Sequence, residues 1–215
     1  MFIEESMWIR DALSGLAARS GIEVLDIGSA SFDFRTRVQA HIGENVHTPL
    51  VDRGYRITYL DREPDVGVDV VADLCAPMLN DALVAVPYDL ILCCNILEHV
   101  ENRAAFISNV MRLLKPGGLL LVTVPRRYPC HHDPIDTMYR PSVSKLVGDI
   151  ARAGAVTVIR SGVVRISERS SYIRKKIRRL DYLLPFRTNS LWRYYLPIFR
   201  WQVACVLLER SGSVR

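Results

Sequence analysis

The sequence predicts a doubly wound α/β protein, with a mostly parallel sheet of about seven strands and helices on both faces. Short apolar runs of the kind that form buried strands alternate with segments of helical periodicity. The early runs also stop at a glycine or a polar residue, as strands do where a parallel sheet gives way to its loops. With 215 residues, of which 49% are hydrophobic, the chain can enclose one sizeable core.

The elements are expected in a regular order. The predicted strands are 23–27, 56–60, 68–72, 88–94, 119–124, 156–166 and 201–209. Helical patterns cover 1–18, about 32–42, 97–114 and 141–153. Pro116 and the glycines after it end the third helix, and Gly154 ends the fourth. Asp26 and Asp61 lie 35 positions apart, which exceeds the roughly 20 of a compact nucleotide-binding unit, so an inserted loop is expected over 41–54.

The amino-acid composition indicates the cellular location of the chain and where its charge is concentrated. The five cysteines are odd in number, and Cys93 and Cys94 are adjacent in an apolar run, a pattern typical of reduced thiols in the cytoplasm. The net charge of +5 is a local feature, because residues 167–200 carry nine basic and two acidic side chains. No apolar stretch is long enough to cross a membrane, and the first 18 residues do not resemble a signal peptide.

The residues at the strand ends predict a nucleoside ligand. Asp61 follows the second strand, where a carboxylate can accept two hydrogen bonds from the vicinal hydroxyls of a ribose. Ligands of such sheets bind outside the carboxyl ends of the strands. The motifs there are, in order, Val24-Leu25-Asp26-Ile27-Gly28, Asp61, Asp73-Leu74, Asn95-Ile96-Leu97-Glu98-His99-Val100 and Leu114-Lys115-Pro116-Gly117-Gly118.

With these motifs in this order, residues 24–154 resemble the class I S-adenosylmethionine-dependent methyltransferases, in particular their type 11 branch. The resemblance implies a Rossmann-like fold and S-adenosylmethionine as the cofactor. It implies that Gly28 lets the backbone approach the methionine part, that Asp26 supports the loop or the amino group, and that Asp73 borders the adenine. The cofactor-binding residues are therefore expected to be Asp26, Gly28, Ser29, Asp61, Arg62, Asp73, Leu74 and Asn95.

The first loop departs from the pattern of that family. It reads Gly28-Ser29-Ala30-Ser31-Phe32, where the family carries two or three glycines. Serine and alanine are small enough for close backbone approach, but they make the left-handed turns that glycine permits more costly. We also expect Phe32 to narrow the cofactor site.

The loop after the fifth strand, 125–141, carries the candidate catalytic residues. We predict His131 as a general base or acceptor contact, with His132 as the second candidate, because an imidazole near neutral pKa suits proton removal. Asp133 or Asp136 would orient it. The alternative is that these side chains only tie down the loop. His99 is expected to be structural.

An alternative interpretation of Cys130-His131-His132-Asp133 is a metal-binding site. Consecutive residues rarely converge on one ion, however, and the spaced ligand pairs of structural zinc sites are missing from the sequence. We therefore predict no metal site.

Residues 167–200 combine a basic amphipathic helical pattern with an aromatic-rich piece. Three roles fit this composition: a lid or packing surface, contact with an anionic membrane or a lipid-linked substrate, and nucleic-acid binding. We expect one domain over 1–215. Its parts are an N-terminal helix in 1–20, a core in 21–166, a basic aromatic insertion or lid in 167–200 and a last strand in 201–210.

The predicted function is methyl transfer by in-line displacement to a hydroxyl or amine of a small molecule or saccharide. The stretch from Tyr128 to Pro141 resembles bacterial methyltransferases of surface-glycan or secondary metabolism, which makes a sugar hydroxyl the first choice. The alternatives are an RNA methyltransferase, a non-catalytic adenosylmethionine-binding protein and an NAD-dependent oxidoreductase. Tyr172 and Lys176 match the spacing of a short-chain dehydrogenase pair, but they lie after the sixth strand. The expected location is cytoplasmic, with membrane-peripheral attachment as the alternative.

Overall fold

The computed structural model describes residues 1–18, 20–79, 81–131, 135–167 and 200–212. Within these ranges, seven strands form one sheet in the order β3-β2-β1-β4-β5-β7-β6. The strands are β1 Glu23–Ile27, β2 Arg56–Asp61, β3 Val70–Val71, β4 Tyr88–Cys94, β5 Leu114–Arg127, β6 Val156–Arg165 and β7 Gln202–Arg210. Strand β7 is antiparallel to β5 and β6, and the other pairs are parallel. The predicted fold class is confirmed.

The register of the central strands brings their carboxyl ends together. Ile27 of β1 pairs with Leu60 of β2 on one side and with Cys93 of β4 on the other. Gly28, Asp61 and the residues after Cys94 therefore emerge at one edge of the sheet. This is where the strand order reverses, with β1 and β4 as neighbours, and ligands bind at such switch points.

Six α-helices occur in the described ranges: α1 Ile3–Leu13, α2 Ala40–Ile42, α3 Thr48–Val51, α4 Asp81–Val84, α5 Arg103–Leu113 and α6 Val143–Ala151. The helix predicted over 97–114 is split in two. A 3₁₀ turn, Leu97–His99, is followed by α5, whose cap Asn102 accepts a hydrogen bond from the backbone N–H of Ala105. Ser142 caps α6 in the same way through the N–H of Lys145.

The inserted loop expected over 41–54 is wrong, because the chain stays helical there. Two π-helical turns, Phe34–Val38 and Gly43–His47, alternate with α2 and α3. The wider turns add length between β1 and β2 without a loop, and such turns are frequent at functional sites. This stretch is called the π-rich segment (34–51) below.

Alternate residues of the central strands pack on opposite faces of the sheet. Leu25, Ile91 and Val122 belong to the core beneath α5 and α6. Val24, Leu90 and Leu121 belong to the core beneath α1 and the π-rich segment. Because both faces are buried, the strands read as continuous apolar runs.

The five cysteines all lie in the described ranges and are free thiols. No helix in these ranges has the length and apolar character needed to span a bilayer.

Candidate cofactor and acceptor site

A cavity of about 530 Å³ lies over the carboxyl ends of β1, β2, β4 and β5. Its volume is typical of a site for a cofactor or small ligand. One end is formed by the loops after β1 and β2, and the other by Glu98, His99, Tyr128 and His131. Phe2 and the π-rich segment close its sides.

Gly28 and Asp61 stand side by side at the first end. Gly28 has φ +70, and a Cβ there would lie 2.1 Å from Cδ1 of Ile96. Asp61 accepts hydrogen bonds through Oδ2 from the N–H of Ala30 (2.9 Å) and through Oδ1 from the N–H of Arg62 (2.7 Å). Both residues line the cavity, and the backbone donors fix the orientation of the carboxylate that we predict to bind the ribose.

The glycine-poor loop is held in shape by Arg35. Ala30 adopts φ +55, a left-handed conformation that costs a non-glycine residue about 1–2 kcal/mol. The Arg35 guanidinium, only 3% exposed, donates to the carbonyls of Ala30 (2.6 Å) and Gly67 (2.8 Å). It also lies 3.8 Å from the centre of the Tyr59 ring. These contacts stabilise the conformation that the family obtains with glycines.

The carboxylate of Asp26, which we expected to support the loop after β1, is paired with a histidine side chain. Nε2 of His47, in the π-rich segment, lies 2.9 Å from Oδ2 of Asp26, and both side chains are about nine-tenths buried. The His47 ring also packs edge-on against Tyr59. The pair lines the cavity, so His47 sets which side of the Asp26 carboxylate faces a ligand.

Asn95 is anchored by a buried carboxylate on α1. Asn95 has φ +56, and its side-chain amide donates to Oε1 of Glu5 at 2.8 Å. The hydroxyl of Thr123, near the end of β5, donates to the same oxygen at 2.5 Å. The N–H of Phe2 donates to the other oxygen at 3.0 Å, so the fully buried Glu5 joins the first helix to the ends of β4 and β5.

Three residues predicted to bind the cofactor lie beside the cavity rather than on its wall. Arg62 is exposed and pairs with Glu63, Asp73 accepts a hydrogen bond from the N–H of Cys75, and Leu74 is 2% exposed in the core. Asp73 thus acts as a turn residue here, and the cofactor contacts of all three stay predictions.

The prediction that Phe32 narrows the site is wrong. Phe32 is 53% exposed and is not among the residues that line the cavity, whereas Phe34 lines it. The cause is that both residues lie on one helical path, where positions two apart face different directions.

His131 lines the other end of the cavity and is accompanied by Asp136. Its backbone N–H donates to Oδ2 of Asp136 at 3.0 Å, and its ring Nδ1 lies 3.1 Å from the same oxygen. Burial alone would raise the pKa of Asp136, but Arg140, whose Nη2 lies 2.6 Å away, and two backbone N–H donors lower that pKa to about 2. Asp136 is therefore ionised beside His131. His132 and Asp133 lie outside the described residues.

Glu98 occupies the same end. Its side chain is fully buried, and neither carboxylate oxygen has a hydrogen-bond partner in the part of the chain that the structure describes. Burial raises the pKa of Glu98 to about 8, and the residue's own nearby backbone N–H group and the positive charge of Arg140 oppose this only in part. Nε2 of His99 lies 3.8 Å from Oε1 of Glu98, and Nδ1 of His99 is in hydrogen-bond contact with the carbonyl of Ile135.

Comparison with known proteins supports the resemblance. Residues 25–120 match the family model described as a methyltransferase domain. The ubiquinone/menaquinone biosynthesis C-methyltransferase of Shewanella pealeana is 29% identical over 119 residues, which are 54% of this chain and 47% of that protein. The ubiquinone biosynthesis O-methyltransferase of Rickettsia conorii is 26% identical over 121 residues, 50% of this chain and 36% of that protein.

With a methyltransferase domain matched over residues 25–120, the chain is similar to the class I S-adenosylmethionine-dependent methyltransferases. A crystal structure of coclaurine N-methyltransferase bound to N-methylheliamine and SAH shares its fold, with a TM-score of 0.59 at 17% identity over 95% of this chain and 72% of that one. The chain spans half or less of the length of the two relatives named above. These three proteins are named for transfer to carbon, oxygen and nitrogen, so the similarity leaves the acceptor atom open.

A second cavity of the protein, about 520 Å³, lies between α5 and α6. Two of its cations, Lys145 and Arg152, pair with Asp149 at 3.0 and 2.5 Å, and it touches none of the strand ends. Its position and its paired charges make it a surface groove rather than the cofactor site.

Sequence reasoning missed Glu5, Arg35 and His47. Each is a charged or polar residue that is at most 6% exposed, which is unusual for its type. The sequence offers one weak signal, since Glu5 follows the apolar Phe2 and Ile3 near the start of the helix where a capping carboxylate is common. Nothing in the local pattern marks Arg35 or His47, because their partners are set by tertiary contacts.

Proposed function

We propose that this chain transfers the methyl group of S-adenosylmethionine to a hydroxyl or amine of a small molecule or saccharide. The observation that carries the proposal is the single cavity that joins the cofactor loops at Gly28 and Asp61 to the polar end at Glu98 and His131. In-line displacement needs donor and acceptor in one enclosed space, and here the enzyme chiefly supplies their orientation.

On the cofactor side, Asp61 binds the ribose hydroxyls and Gly28 and Ser29 let the backbone approach the methionine part. Asp26, held by His47, and Asn95, held by Glu5, line the same end. Cofactor contacts of Arg62, Asp73 and Leu74 stay predictions. The roles of Asp61, Asp26 and Asn95 are supported by the hydrogen bonds that hold each side chain at the cavity.

On the acceptor side, His131 acts as the base that takes the acceptor proton or as the contact that orients the acceptor. Asp136 supports either role, because an ionised carboxylate 3.1 Å from the ring fixes its orientation and stabilises its protonated form. His132 and Asp133 stay predictions. So does the lid, membrane or lipid-linked role of 167–200, because 168–199 lie outside the described residues.

Calorimetric titration tests the cofactor. S-Adenosylmethionine and its demethylated product should bind, and NAD should not. Asp61→Ala should weaken binding of adenosylmethionine at least about tenfold, since two charge-assisted hydrogen bonds are lost. The exposed Asp52→Ala is the matched control and should bind like the unmodified chain. Binding of NAD alone would disprove the proposal.

Labelled adenosylmethionine incubated with the chain and fractionated cell extract tests the acceptor. Label is expected in small metabolites or saccharides. Label in RNA would favour the RNA methyltransferase alternative, and cofactor binding without any transfer would favour a non-catalytic binding protein. His131→Ala should lower turnover without weakening adenosylmethionine binding, and retained turnover would remove His131 from the reaction.

A further inference from the structure

Glu98, His99 and His131 bring one carboxylate and two imidazoles together at the acceptor end of the cavity. One donor atom from each lies within 4.8 Å of the others. The rings of His99 and His131 meet edge to face, with centroids 5.0 Å apart. Two of the residues follow β4 and the third follows β5, so the cluster exists only because the ends of these parallel strands are neighbours.

The buried carboxylate of Glu98 is the observation that indicates a bound cation at this cluster. Burying an isolated carboxylate costs several kcal/mol unless a cation or hydrogen-bond donors compensate it. Glu98 is fully buried, and within the described ranges neither oxygen meets a hydrogen-bond donor. Nε2 of His99 is 3.8 Å from Oε1 of Glu98, which is beyond hydrogen-bond distance, and the positive charge of Arg140 compensates the carboxylate only in part.

The surroundings of the two imidazoles resemble the second layer of a metal site. Histidine ligands usually make a hydrogen bond through their other ring nitrogen to a carbonyl or carboxylate, which fixes the ring. Nδ1 of His99 contacts the carbonyl of Ile135, so Nε2 is the atom that faces Glu98. Beside the His131 ring stands the ionised Asp136, itself held by Arg140.

We propose that Glu98, His99 and His131 bind a divalent transition-metal ion of the Zn²⁺ type next to the methyl donor. Bonds of about 2.0–2.1 Å place tetrahedral ligand atoms about 3.3 Å apart, so the side chains must close by about 1.5 Å at most. Two imidazoles favour Zn²⁺, Fe²⁺ or Ni²⁺ over Mg²⁺. Three protein ligands leave a coordination position open toward the cavity.

This inference rests on the proposed function for what enters that open position, namely the acceptor. A hydroxyl bound to the ion would have a lowered pKa and a fixed direction toward the methyl group. In the loaded protein His131 is an ion ligand, so its part in the reaction is to orient the acceptor through the ion. Sequence analysis predicted no metal site because it considered residues that are adjacent in the chain. His99 and His131 are 32 positions apart.

The test uses the full chain after treatment with a chelator. Titration with Zn²⁺ should show one ion per chain, Co²⁺ should give the visible absorption of a low-coordinate nitrogen and oxygen site, and millimolar Mg²⁺ should not compete. Glu98→Gln and His131→Ala should each weaken Zn²⁺ binding at least about tenfold, because each removes a ligand. Glu101→Gln, an exposed carboxylate three positions away, is the matched control and should bind Zn²⁺ normally.

Binding of adenosylmethionine and circular dichroism are recorded on the same samples, so that a folding defect is recognised. Adenosylmethionine binding without Zn²⁺ binding would overturn the metal site and leave the proposed function standing. Zn²⁺ binding that survives in all three of Glu98→Gln, His99→Ala and His131→Ala would also overturn it, since the ion would lie elsewhere. Zn²⁺ binding without adenosylmethionine binding would overturn the proposed function instead.

Discussion

The buried carboxylate of Glu5 accepts a 2.8 Å hydrogen bond from the side chain of Asn95, across 90 positions of the chain. Asn95 stands at the end of β4 with a left-handed backbone, and its amide would otherwise have to find a partner inside the cavity wall. Through this bond the first helix determines the shape of the loop after β4. Cofactor binding should therefore depend on a helix that contributes no motif residue.

Removing the Glu5 carboxylate should destabilise the fold. Glu5→Ala leaves the amide of Asn95, the hydroxyl of Thr123 and the N–H of Phe2 without their acceptor, and each unpaired buried group costs about 1–3 kcal/mol. We expect the free energy of unfolding in urea to fall by about 2–4 kcal/mol, after partial rescue by water.

Two further variants serve as comparisons for the loss of stability in Glu5→Ala. Glu5→Gln retains one acceptor oxygen and should lose about half as much free energy of unfolding. Asp11→Ala removes an exposed carboxylate from the same helix and should change stability by less than about 0.5 kcal/mol. Equal stability of Glu5→Ala and the unmodified chain would show that the link is dispensable.

Gly28→Ala should abolish tight adenosylmethionine binding. The added Cβ would lie 2.1 Å from Cδ1 of Ile96 and would sit on a backbone with φ +70. The double variant Gly28→Ala, Ile96→Ala separates the two causes, because it removes the clash and keeps the backbone cost of about 1–2 kcal/mol. Calorimetry should show affinity partly restored in the double variant, with Ile96→Ala alone as the control. No restoration would mean that the backbone conformation, not the clash, requires the glycine.

Phe34 rather than Phe32 should influence cofactor affinity. Phe34→Ala removes an aromatic wall of the cavity and should weaken adenosylmethionine binding by about 1–2 kcal/mol, or roughly tenfold. Phe32→Ala, at an exposed ring two positions earlier, should leave affinity within about twofold. If the same titration showed a larger loss of affinity for Phe32→Ala than for Phe34→Ala, the expectation that Phe32 narrows the cofactor site would be supported.

The stability of the chain should depend on pH through Asp149. Burial alone would raise the pKa of Asp149, but hydrogen bonds from Tyr139 and Lys145 and the charge of Arg152 lower it below 3.8. A carboxyl group with a lowered folded-state pKa stabilises the fold above its unfolded pKa, and this contribution is lost as pH falls through the folded value. Unfolding curves should therefore lose stability below about pH 4.

Asp149→Asn should flatten that acid-side decline, because the variant has no carboxyl group to protonate at this position. At pH 7 it should cost about 1 kcal/mol through its weakened hydrogen bonds with Tyr139 and Lys145. An unchanged slope below pH 4 would assign the acid sensitivity to other carboxylates. This variant should not affect adenosylmethionine binding, because Asp149 lies on α6 at the groove between α5 and α6, away from the cofactor cavity.

Strand positions and the residues that end them were predictable from the chain. Apolar runs bounded by Gly28, Asp61 and Asn95 locate β1, β2 and β4 to within a residue, because strands buried on both faces leave an unbroken hydrophobic signal. In the π-rich segment, the helical pattern over about 32–42 was predictable, but the continuation of the helical path to Val51 and the wide π-helical turns were not, since such turns carry no periodicity that sequence patterns reveal. Glu5 and His47 were missed because a buried polar residue looks like a surface residue until its partner is known.

The sequence by itself determined the sheet, its strand-end motifs and the resemblance to methyltransferases, because local hydrophobic runs and short motifs can be recognised without knowledge of long-range contacts. Only the tertiary structure decided that Glu5 holds Asn95, that Arg35 holds the loop at Ala30, and that Glu98 meets His131. Each of these pairs depends on which strands are neighbours and how far each loop reaches. Those distances are set by packing of the whole chain, not by spacing along it.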